Sequence, residues 1–242
     1  MSGHSKWATT HRQKEVIDAK RGKIFTRLGY NISLAAKQGS DPETNFKLRI
    51  AIDKAREANM PKENVERAIK RGTGELEGEQ IEETVYEGFG PGGVAMIVEA
   101  LTTNRNRAVA NIKHIFSKHG GNIGASGSVA WMFDRRGVIR IPEEELKNKN
   151  LEELELKLID LGAVDVIKEQ EGLVVYTAPA DLDKIKKEVE ALGSKIANAE
   201  TEYVSKNKIA ITESAAKESF DKLLDELEAD EDVNNYYSNL ND

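Results

Sequence analysis

Residues 135–204 contain a regular alternation of strand and helix patterns, and this order limits the fold more than any other feature of the chain. Four short segments that contain β-branched residues are predicted as strands and lie at 137–141, 163–169, 173–178 and 199–204. Two segments of helical period, 142–161 and 179–192, stand after the first strand and after the third. The series therefore predicts a ferredoxin-like βαββαβ module.

The segments on either side of this module have the same order once the module is removed. Strands are predicted at 92–102, 128–133, 208–212 and 232–238, helices at 105–119 and 213–229, and an extra strand at 83–88. The part after the insertion, 208–238, is too small to bury a core alone, so we predict one module inserted into the other at a hairpin position. Three independent domains are the simpler alternative.

The first third of the chain has helical periodicity. One helix is expected from about Val16 to a stop at Gly39, a second from a cap at Ser40 or Asp41, and a third from Pro61 to Gly72. Each helix is amphipathic and too short to be stable alone, which predicts a small bundle. Residues 1–14 have no apolar period and are predicted to form an arm.

The predicted fold class is α+β, with an N-terminal three-helix domain followed by two ferredoxin-like βαββαβ modules, one inserted into the other. The predicted domains are a basic helical domain with an N-terminal arm (1–78), a discontinuous α+β domain (79–134 plus 205–242) and an inserted α+β domain (135–204).

Charge is distributed unevenly along the chain. Residues 1–72 hold 16 Lys and Arg against 8 Asp and Glu, whereas the remaining residues hold 19 against 34. A basic end on an acidic body indicates that the basic end binds a polyanion and that the body repels it. Chance partition of charge is the alternative.

The amino-acid composition indicates the cellular compartment and bears on membrane association. The chain has no cysteine, which fits a reducing compartment, and we expect a cytoplasmic protein. No apolar run approaches the roughly 20 residues that a membrane-spanning helix needs, so no membrane association is expected.

Three segments that resemble catalytic or metal motifs lack an essential residue. The glycine loop 88–93 continues with Val94 and Ala95 instead of Lys and Ser or Thr, so it is not a P-loop. The GASGS segment, 124–128, has Ser128 at the last position of the nucleophile-elbow pattern, where Gly is required. His114 and His119 are five residues apart and no further ligand completes a zinc set. We therefore predict no enzyme, no catalytic residue, no metal and no cofactor.

The residues that suit nucleic-acid binding are cations interleaved with planar side chains. Lys and Arg neutralise phosphates and release counterions, while Trp and His can stack on exposed bases. The candidates are His4, Lys6, Trp7, His11, Arg12, Lys14, Lys20, Arg21, Lys23 and Arg27, with Arg105 and Arg107 as a second phosphate seat at a helix N-terminus. The alternatives are a solvated helix whose Trp7 packs into the bundle, and an ordinary N-cap at Asn104.

Several long motifs resemble those of the YebC/PmpR family across nearly the whole chain. They are GHSKWA, YEGFGPGG, TTNRNR, FSKHGGNIGASGSVAWMF and DEDVNNYYSNL. One departure is that Thr9 and Thr10 stand where many members have Asn and Ile. The resemblance implies a helical N-terminal domain followed by two α+β domains, one of them built from discontinuous segments.

The resemblance also implies a function, on which two alternatives stay open. Members are usually described as probable transcriptional regulators that bind DNA. Relatives are also described as ribosome-associated translation factors, including a mitochondrial translational activator and bacterial factors that relieve stalling at proline runs. The expected partner is therefore promoter DNA or ribosomal RNA, with the ribosome as a further partner in the second case. A third alternative is an acidic protein-interaction module.

Overall fold

The computed structural model describes residues 21–78, 80–147 and 149–241, with Arg21 as backbone only. These residues form two compact units. The outer unit contains the described residues up to Ala130 together with Ile211–Ser238, and the inserted unit contains Trp131–Ala210 together with the described residues after Ser238. The predicted division into three domains stays a prediction.

The described part of the chain alternates helices and strands after its first three helices. In chain order the helices are α1 (Arg21–Ala36), α2 (Phe46–Glu57), α3 (Lys62–Gly72), α4 (Arg105–Lys118), α5 (Leu151–Asp160), α6 (Leu182–Ala191) and α7 (Ser214–Ala229). The strands are β1 (Glu82–Phe89), β2 (Ala95–Thr102), β3 (Asn122–Ile123), β4 (Phe133–Pro142), β5 (Asp165–Glu169), β6 (Gly172–Thr177), β7 (Asn198–Ser205) and β8 (Val233–Ser238). The α+β class, with N-terminal helices followed by two antiparallel four-stranded sheets, is confirmed.

Helices α1, α2 and α3 share one apolar core. Ile32, Leu48, Ile52 and Val65 are buried there among small alanines. The third helix ends at Gly72, as predicted, and this glycine lies against α1. A Cβ at Gly72 would overlap the Ser33 carbonyl oxygen, so the glycine allows a close approach of two helices.

The start of α2 differs from the prediction because a later residue is the better cap. The side chain of Asn45 accepts a hydrogen bond from the Leu48 N–H at 3.1 Å, and the helix begins at Phe46. Asp41, one of the two predicted caps, instead accepts a hydrogen bond from the Glu43 N–H at 2.9 Å in the preceding turn.

The inserted unit contains a sheet with the strand order β5-β6-β4-β7. Its first strand, β4, therefore lies between the third and the fourth, as a ferredoxin-like βαββαβ module requires. Two boundaries differ from the prediction. Strand β4 already begins at Phe133, which pairs with Ser205, and the segment 142–161 is not one helix. A short 3₁₀ turn occupies Glu143–Glu145, and α5 begins only after Asn150, whose side chain caps it.

The outer unit contains a sheet with the order β3-β1-β2-β8. The strands predicted at 128–133 and 208–212 do not form. Ala130–Met132 is a 3₁₀ turn, and Ile209 makes only a single bridge, to Leu240. Strand β1, predicted as an extra strand, takes the place of the third strand because a short Gly/Pro turn joins it to β2, and local hairpins form at low entropic cost.

A buried ion pair crosses the inserted sheet between β4 and β7. The Arg140 guanidinium donates to both carboxylate oxygens of Glu202, at 2.9 Å for the Nη2–Oε2 contact, and both side chains are about 5% exposed. Burial alone would lower the pKa of Arg140, but the attraction of Glu202 outweighs it and the pKa is raised. The guanidinium is thus charged and compensated inside the unit.

Among the described residues, no helix has the length and apolar character needed to cross a membrane.

Candidate nucleic-acid interface

The predicted nucleic-acid contacts fall into two groups. His4, Lys6, Trp7, His11, Arg12, Lys14 and Lys20 lie outside the described residues. The backbone of Arg21 begins α1, and the side chains of Lys23, Arg27, Arg105 and Arg107 are described. All four belong to the outer unit.

Lys23 and Arg27 lie beside the C-terminal end of α7. The Lys23 Nζ donates to the Ala229 carbonyl oxygen at 2.7 Å. Arg27 donates to the carbonyl oxygens of Glu228 and Val233 at 3.4 and 3.3 Å, and its guanidinium is 3.6 Å from the Glu228 carboxylate. The last carbonyls of a helix lack intrahelical donors and carry partial negative charge, so cations are favourable there.

The two positions differ in how far solvent reaches them. The side chain of Arg27 is only 12% exposed, whereas Lys23 is an exposed residue. Arg27 is therefore directed into the protein, and Lys23 lies at a surface that a polyanion can reach.

Arg105 and Arg107 lie in the first turn of α4, whose predicted N-cap is confirmed. The Asn104 Oδ1 accepts a hydrogen bond from the Arg107 N–H at 3.0 Å. The Arg107 side chain forms a bidentate pair with Asp232, at 2.7 Å for Nη2–Oδ1 and 3.1 Å for Nε–Oδ2. The hydrogen bond to Asp232 raises the pKa of Arg107. Arg105 and Arg107 are both exposed, but Asp232 engages the Arg107 guanidinium, so Arg105 is the more available cation of the predicted phosphate seat.

Sequence reasoning missed a group of exposed cations on α3. Val65 and Ala68 are buried on one side of this helix, while Arg67, Lys70 and Arg71 are exposed. Residues three and four apart are neighbours on a helix surface, so these three cations form one basic face. The spacing of these cations is visible in the sequence, but cations in the last turn of a helix also suit its dipole, so the spacing alone does not indicate a binding face.

A surface groove of about 340 Å³ adjoins this face in the outer unit. Ser33, Lys37 and Arg71 contribute to its lining, together with the glycine-rich segment that follows α3. Lys37 also donates to the Ile81 carbonyl oxygen at 3.2 Å. The groove is therefore lined by two cations, Lys37 and Arg71, and by glycine backbone. Glu77 adds an acidic side chain to the lining.

The GASGS segment is held by one buried carboxylate. Glu87 accepts hydrogen bonds from the N–H groups of Gly127, Val129 and Ala130 at 2.7, 2.9 and 2.7 Å. Burial raises the pKa of the Glu87 carboxyl, but the three backbone donors outweigh burial and the pKa is lowered. The segment is thus a carboxylate-anchored loop.

His114 of α4 and His119, which follows the helix, do not belong to a metal site among the described residues. His119 Nε2 is 3.2 Å from the Glu226 carboxylate, which Lys118 also contacts. Across the ranges that the structure describes, no group of three or more His, Cys, Asp or Glu could hold a metal ion.

The fold and the site together define a mixed α+β protein in which a helical, cation-bearing N-terminal domain precedes two antiparallel sheets. Comparison with known proteins identifies the family. The sequence model of the TACO1/YebC protein N-terminal domain matches residues 5–75, and that of the TACO1/YebC second and third domain matches residues 81–240. The chain belongs to the TACO1/YebC family.

Curated relatives are similar over almost the full chain. A protein of Thermoanaerobacter pseudethanolicus named "Probable transcriptional regulatory protein Teth39_1009" is 48% identical over 99% of this chain and 97% of its own. A "Probable transcriptional regulatory protein" of Acidithiobacillus ferrooxidans is 49% identical over 99% and 94%. A solved structure, the conserved hypothetical protein Aq1575 from Aquifex aeolicus, is 45% identical with a TM-score of 0.82, over 93% of this chain and 91% of that one.

Proposed function

We propose that this chain is a non-catalytic, nucleic-acid-binding regulator of gene expression, which acts in the cytoplasm and binds DNA through its basic N-terminal domain. The observation that carries the proposal is the segregation of charge. Residues 1–72 hold 16 Lys and Arg against 8 Asp and Glu, and the balance is reversed in the rest of the chain. The names of the relatives support regulation as the role.

The contacts are assigned to the candidates outside the described residues, His4, Lys6, Trp7, His11, Arg12, Lys14 and Lys20, and to the accessible cations of the outer unit. Arg21 is the first described residue of α1, Lys23 is exposed on the same helix, and Arg105 is exposed on α4. The proposal does not rest on Arg27 and Arg107, since their guanidinium groups are engaged by Glu228 and Asp232. The exposed face of α3 extends the set.

Binding at one end is the expected mode because the remainder of the chain is acidic. Lys and Arg release counterions from phosphates, so affinity should fall steeply with salt, while the acidic body repels the polyanion. A polyanion should therefore meet the helical end rather than wrap around the whole protein.

A ribosome-associated translation factor, whose arm contacts ribosomal RNA and relieves stalling, is the second candidate. One observation favours it. The exposed cations of α3 alternate with Glu63 and Glu66, and Asn64 is the one amide side chain of this helix, whereas base-edge readout in the major groove typically uses several Arg, Asn and Gln side chains on one face. Stacking side chains such as Trp7 suit the splayed bases of irregular RNA.

The test combines direct binding with identification of the bound nucleic acid. Lys6→Ala with Trp7→Ala should weaken binding of labelled DNA and RNA about tenfold or more at low ionic strength, because stacking and a phosphate contact are lost together. Crosslinking in cells, sedimentation and sequencing of the bound nucleic acid should then yield promoter DNA for the first candidate and ribosomal RNA for the second.

Lys222→Gln is the matched control. Lys222 is an exposed cation of α7 in the acidic part of the chain and pairs with Glu218 at 2.7 Å, so its loss should leave affinity unchanged. The proposal fails if the parent protein retains neither DNA nor RNA at low ionic strength and does not sediment with ribosomes.

A further inference from the structure

The groove beside α3 has the size and lining of a site for one small ligand. Its walls come from the C-terminal end of α1, the C-terminal end of α3 and the segment that leads to β1. Its volume of about 340 Å³ is at the lower end of the roughly 300–1,000 Å³ that is typical of ligand cavities. Such a volume suits a single small molecule or one unit of a polymer.

The segment after α3 is folded back onto the end of that helix. The N–H groups of Glu75 and Leu76 both donate to the Lys70 carbonyl oxygen, at 2.9 and 3.2 Å. Gly74, whose φ is +81°, has the left-handed conformation that the reversal needs. The backbone that carries Leu76 is thus held in place before a ligand binds, which lowers the entropic cost of binding.

Arg71 supplies a cationic plane to this groove. A Cβ on Gly78 would lie 3.3 Å from the Arg71 Nε, so the side chain rests against the Gly78 backbone. Within the described ranges no acid pairs with the Arg71 guanidinium, whereas Lys37 donates to the Ile81 carbonyl oxygen at 3.2 Å. The Arg71 guanidinium is therefore available both to pair with a phosphate and to stack on a base.

Leu76 supplies an apolar surface to the same groove. Its side chain is 41% exposed, and the neighbouring lining at Gly74 and Gly78 is backbone without side chains. An inorganic phosphate would leave this apolar surface in contact with water. A ligand that carries an anionic group and a flat apolar face would cover it, and a nucleotide has both.

The acidic residue of the groove restricts the ligand further. Glu77 is exposed and lines the groove, so a phosphate is favoured at Arg71 and a hydrogen-bond donor at Glu77. A carboxylate accepts hydrogen bonds, for example from the exocyclic amino group of cytosine. Uracil instead has a single N–H between two carbonyl oxygens, which a carboxylate repels.

We infer that the groove binds one unpaired nucleotide, with its phosphate at Arg71, its base against Leu76 and an exocyclic amino group donating to Glu77. Cytosine and adenine nucleotides carry such an amino group. A duplex keeps its bases stacked and their pairing edges occupied, so it cannot fill the groove. This inference rests on the proposed nucleic-acid function and adds the class of nucleotide that the basic domain selects.

The first experiment measures affinity of the full-length protein for fluorescein-labelled oligocytidylate and for a DNA duplex of equal length, by anisotropy at low ionic strength. Arg71→Ala should weaken oligocytidylate binding about fivefold or more, because a phosphate contact and a stacking plane are lost together, and should weaken duplex binding less. Arg67→Ala is the matched control. Arg67 is exposed one turn earlier on α3 and does not line the groove, so its loss should weaken both equally.

A neutral substitution separates the base contact from the charge. Leu76→Ala should weaken oligocytidylate binding about threefold or more, because apolar area buried by the base is lost. The slope of affinity against salt should stay the same, since no cation is removed. Val85→Ala is the control, because Val85 has a similar exposure of 44% but lies on β1 outside the groove, and it should have no effect.

Glu77→Ala tests the selection of the base. The parent should bind oligocytidylate more tightly than oligouridylate, and the variant should bind the two with similar affinity because the acceptor is gone. Loss of the negative charge strengthens both complexes alike, so the ratio of the two affinities is the readout. A parent ratio near one, or a ratio that survives the substitution, disproves the contact with Glu77.

Competition distinguishes a free nucleotide from a nucleotide within a strand. Displacement of labelled oligocytidylate by micromolar 5′-CMP identifies a free mononucleotide as the ligand, whereas a need for millimolar 5′-CMP or more identifies a strand. Inorganic phosphate should displace no more than salt of the same ionic strength. Equal displacement by phosphate and 5′-CMP would show that the groove does not recognise the base.

The two proposals fail in distinguishable ways. If the parent binds nucleic acid but Arg71→Ala behaves as Arg67→Ala does, and Leu76→Ala as Val85→Ala does, the nucleotide site is disproved while the proposed function stands. If the parent binds neither single strands nor duplex and does not sediment with ribosomes, both are disproved. Circular dichroism and thermal unfolding of each variant establish that lost affinity is not lost folding.

Discussion

Glu87 places a carboxylate in the interior of the outer unit, where three backbone N–H groups surround it. Those donors belong to a loop of mostly small residues, which also has backbone hydrogen bonds from the Gly124 N–H to the Glu87 carbonyl oxygen and from the Ser128 N–H to the Ala125 carbonyl oxygen. A charged acceptor makes stronger hydrogen bonds than a neutral one, so a single side chain can fix the loop. One side chain therefore fixes the backbone of residues 124–130.

We predict that Glu87→Gln lowers the free energy of unfolding by about 1–3 kcal/mol at neutral pH, because the amide nitrogen cannot accept from the loop. The folded-state pKa of Glu87 is lowered from 4.5, so its contribution to stability is complete above that value and declines as the pH falls through the folded-state pKa. Urea unfolding at several pH values checks this. The difference between parent and variant should shrink in acid; a difference independent of pH would contradict the assignment.

At the scale of elements, α1 is attached to the C-terminal end of α7 and to the start of β8. Lys23 and Arg27 donate to carbonyl oxygens there, and the Asn31 Nδ2 donates to the Asn234 Oδ1 at 2.7 Å. These contacts join segments about 200 positions apart in the chain. Helix α1 is therefore anchored through its own cations.

We predict that Arg27→Ala destabilises the protein by about 1–3 kcal/mol, because removal of the guanidinium leaves carbonyl groups and Glu228 without this donor in a half-buried place. Lys23→Gln should cost less than about 1 kcal/mol, since its contact is exposed. Chemical denaturation measures both. Lys23→Gln should nonetheless weaken nucleic-acid binding, and the reverse ranking of stabilities would refute the division of roles.

At the scale of the whole molecule, the two sheets are separate assemblies of strands although one is inserted in the sequence of the other. Strand β2 pairs with β8, more than 130 residues later, and the intervening β4–β7 pair only among themselves. Each unit is compact although it is built from separate segments of the chain. Each sheet should consequently lose its protection as one group.

We predict that Val233→Ala in β8 accelerates amide hydrogen exchange in β1 and β2 and leaves β5 and β6 unchanged. Val233 and Val175 are both 0% exposed, so Val175→Ala in β6 is the matched change in the other sheet and should have the converse effect. Hydrogen exchange followed by mass spectrometry resolves the peptides. Equal acceleration in both sheets for either variant would show that the molecule opens as one unit and would overturn the nested division.

Much of the fold could be predicted from local patterns. The βαββαβ order of the inserted unit, the Asn104 cap and the three N-terminal helices all depend on residues a few positions apart, where periodicity and capping act. The errors fell where local signals compete. Asp41 and Asn45 are both good caps, and the segment after Pro142 has helical composition but a later cap at Asn150.

The candidate site was less predictable because accessibility is a tertiary property. Sequence alone determined the segregation of charge, the types of side chain available for binding and the order of the elements. Only the tertiary structure decided that β1 takes the position of the predicted third strand in the outer sheet. It also decided that Arg27 pairs with Glu228 and Arg107 with Asp232, and that the Lys206 Nζ binds the Trp131 carbonyl oxygen. The physical reason is that these outcomes depend on which distant groups compete for the same backbone edge, cation or surface. A local sequence pattern contains these groups but does not show which of them lie close together in the folded protein.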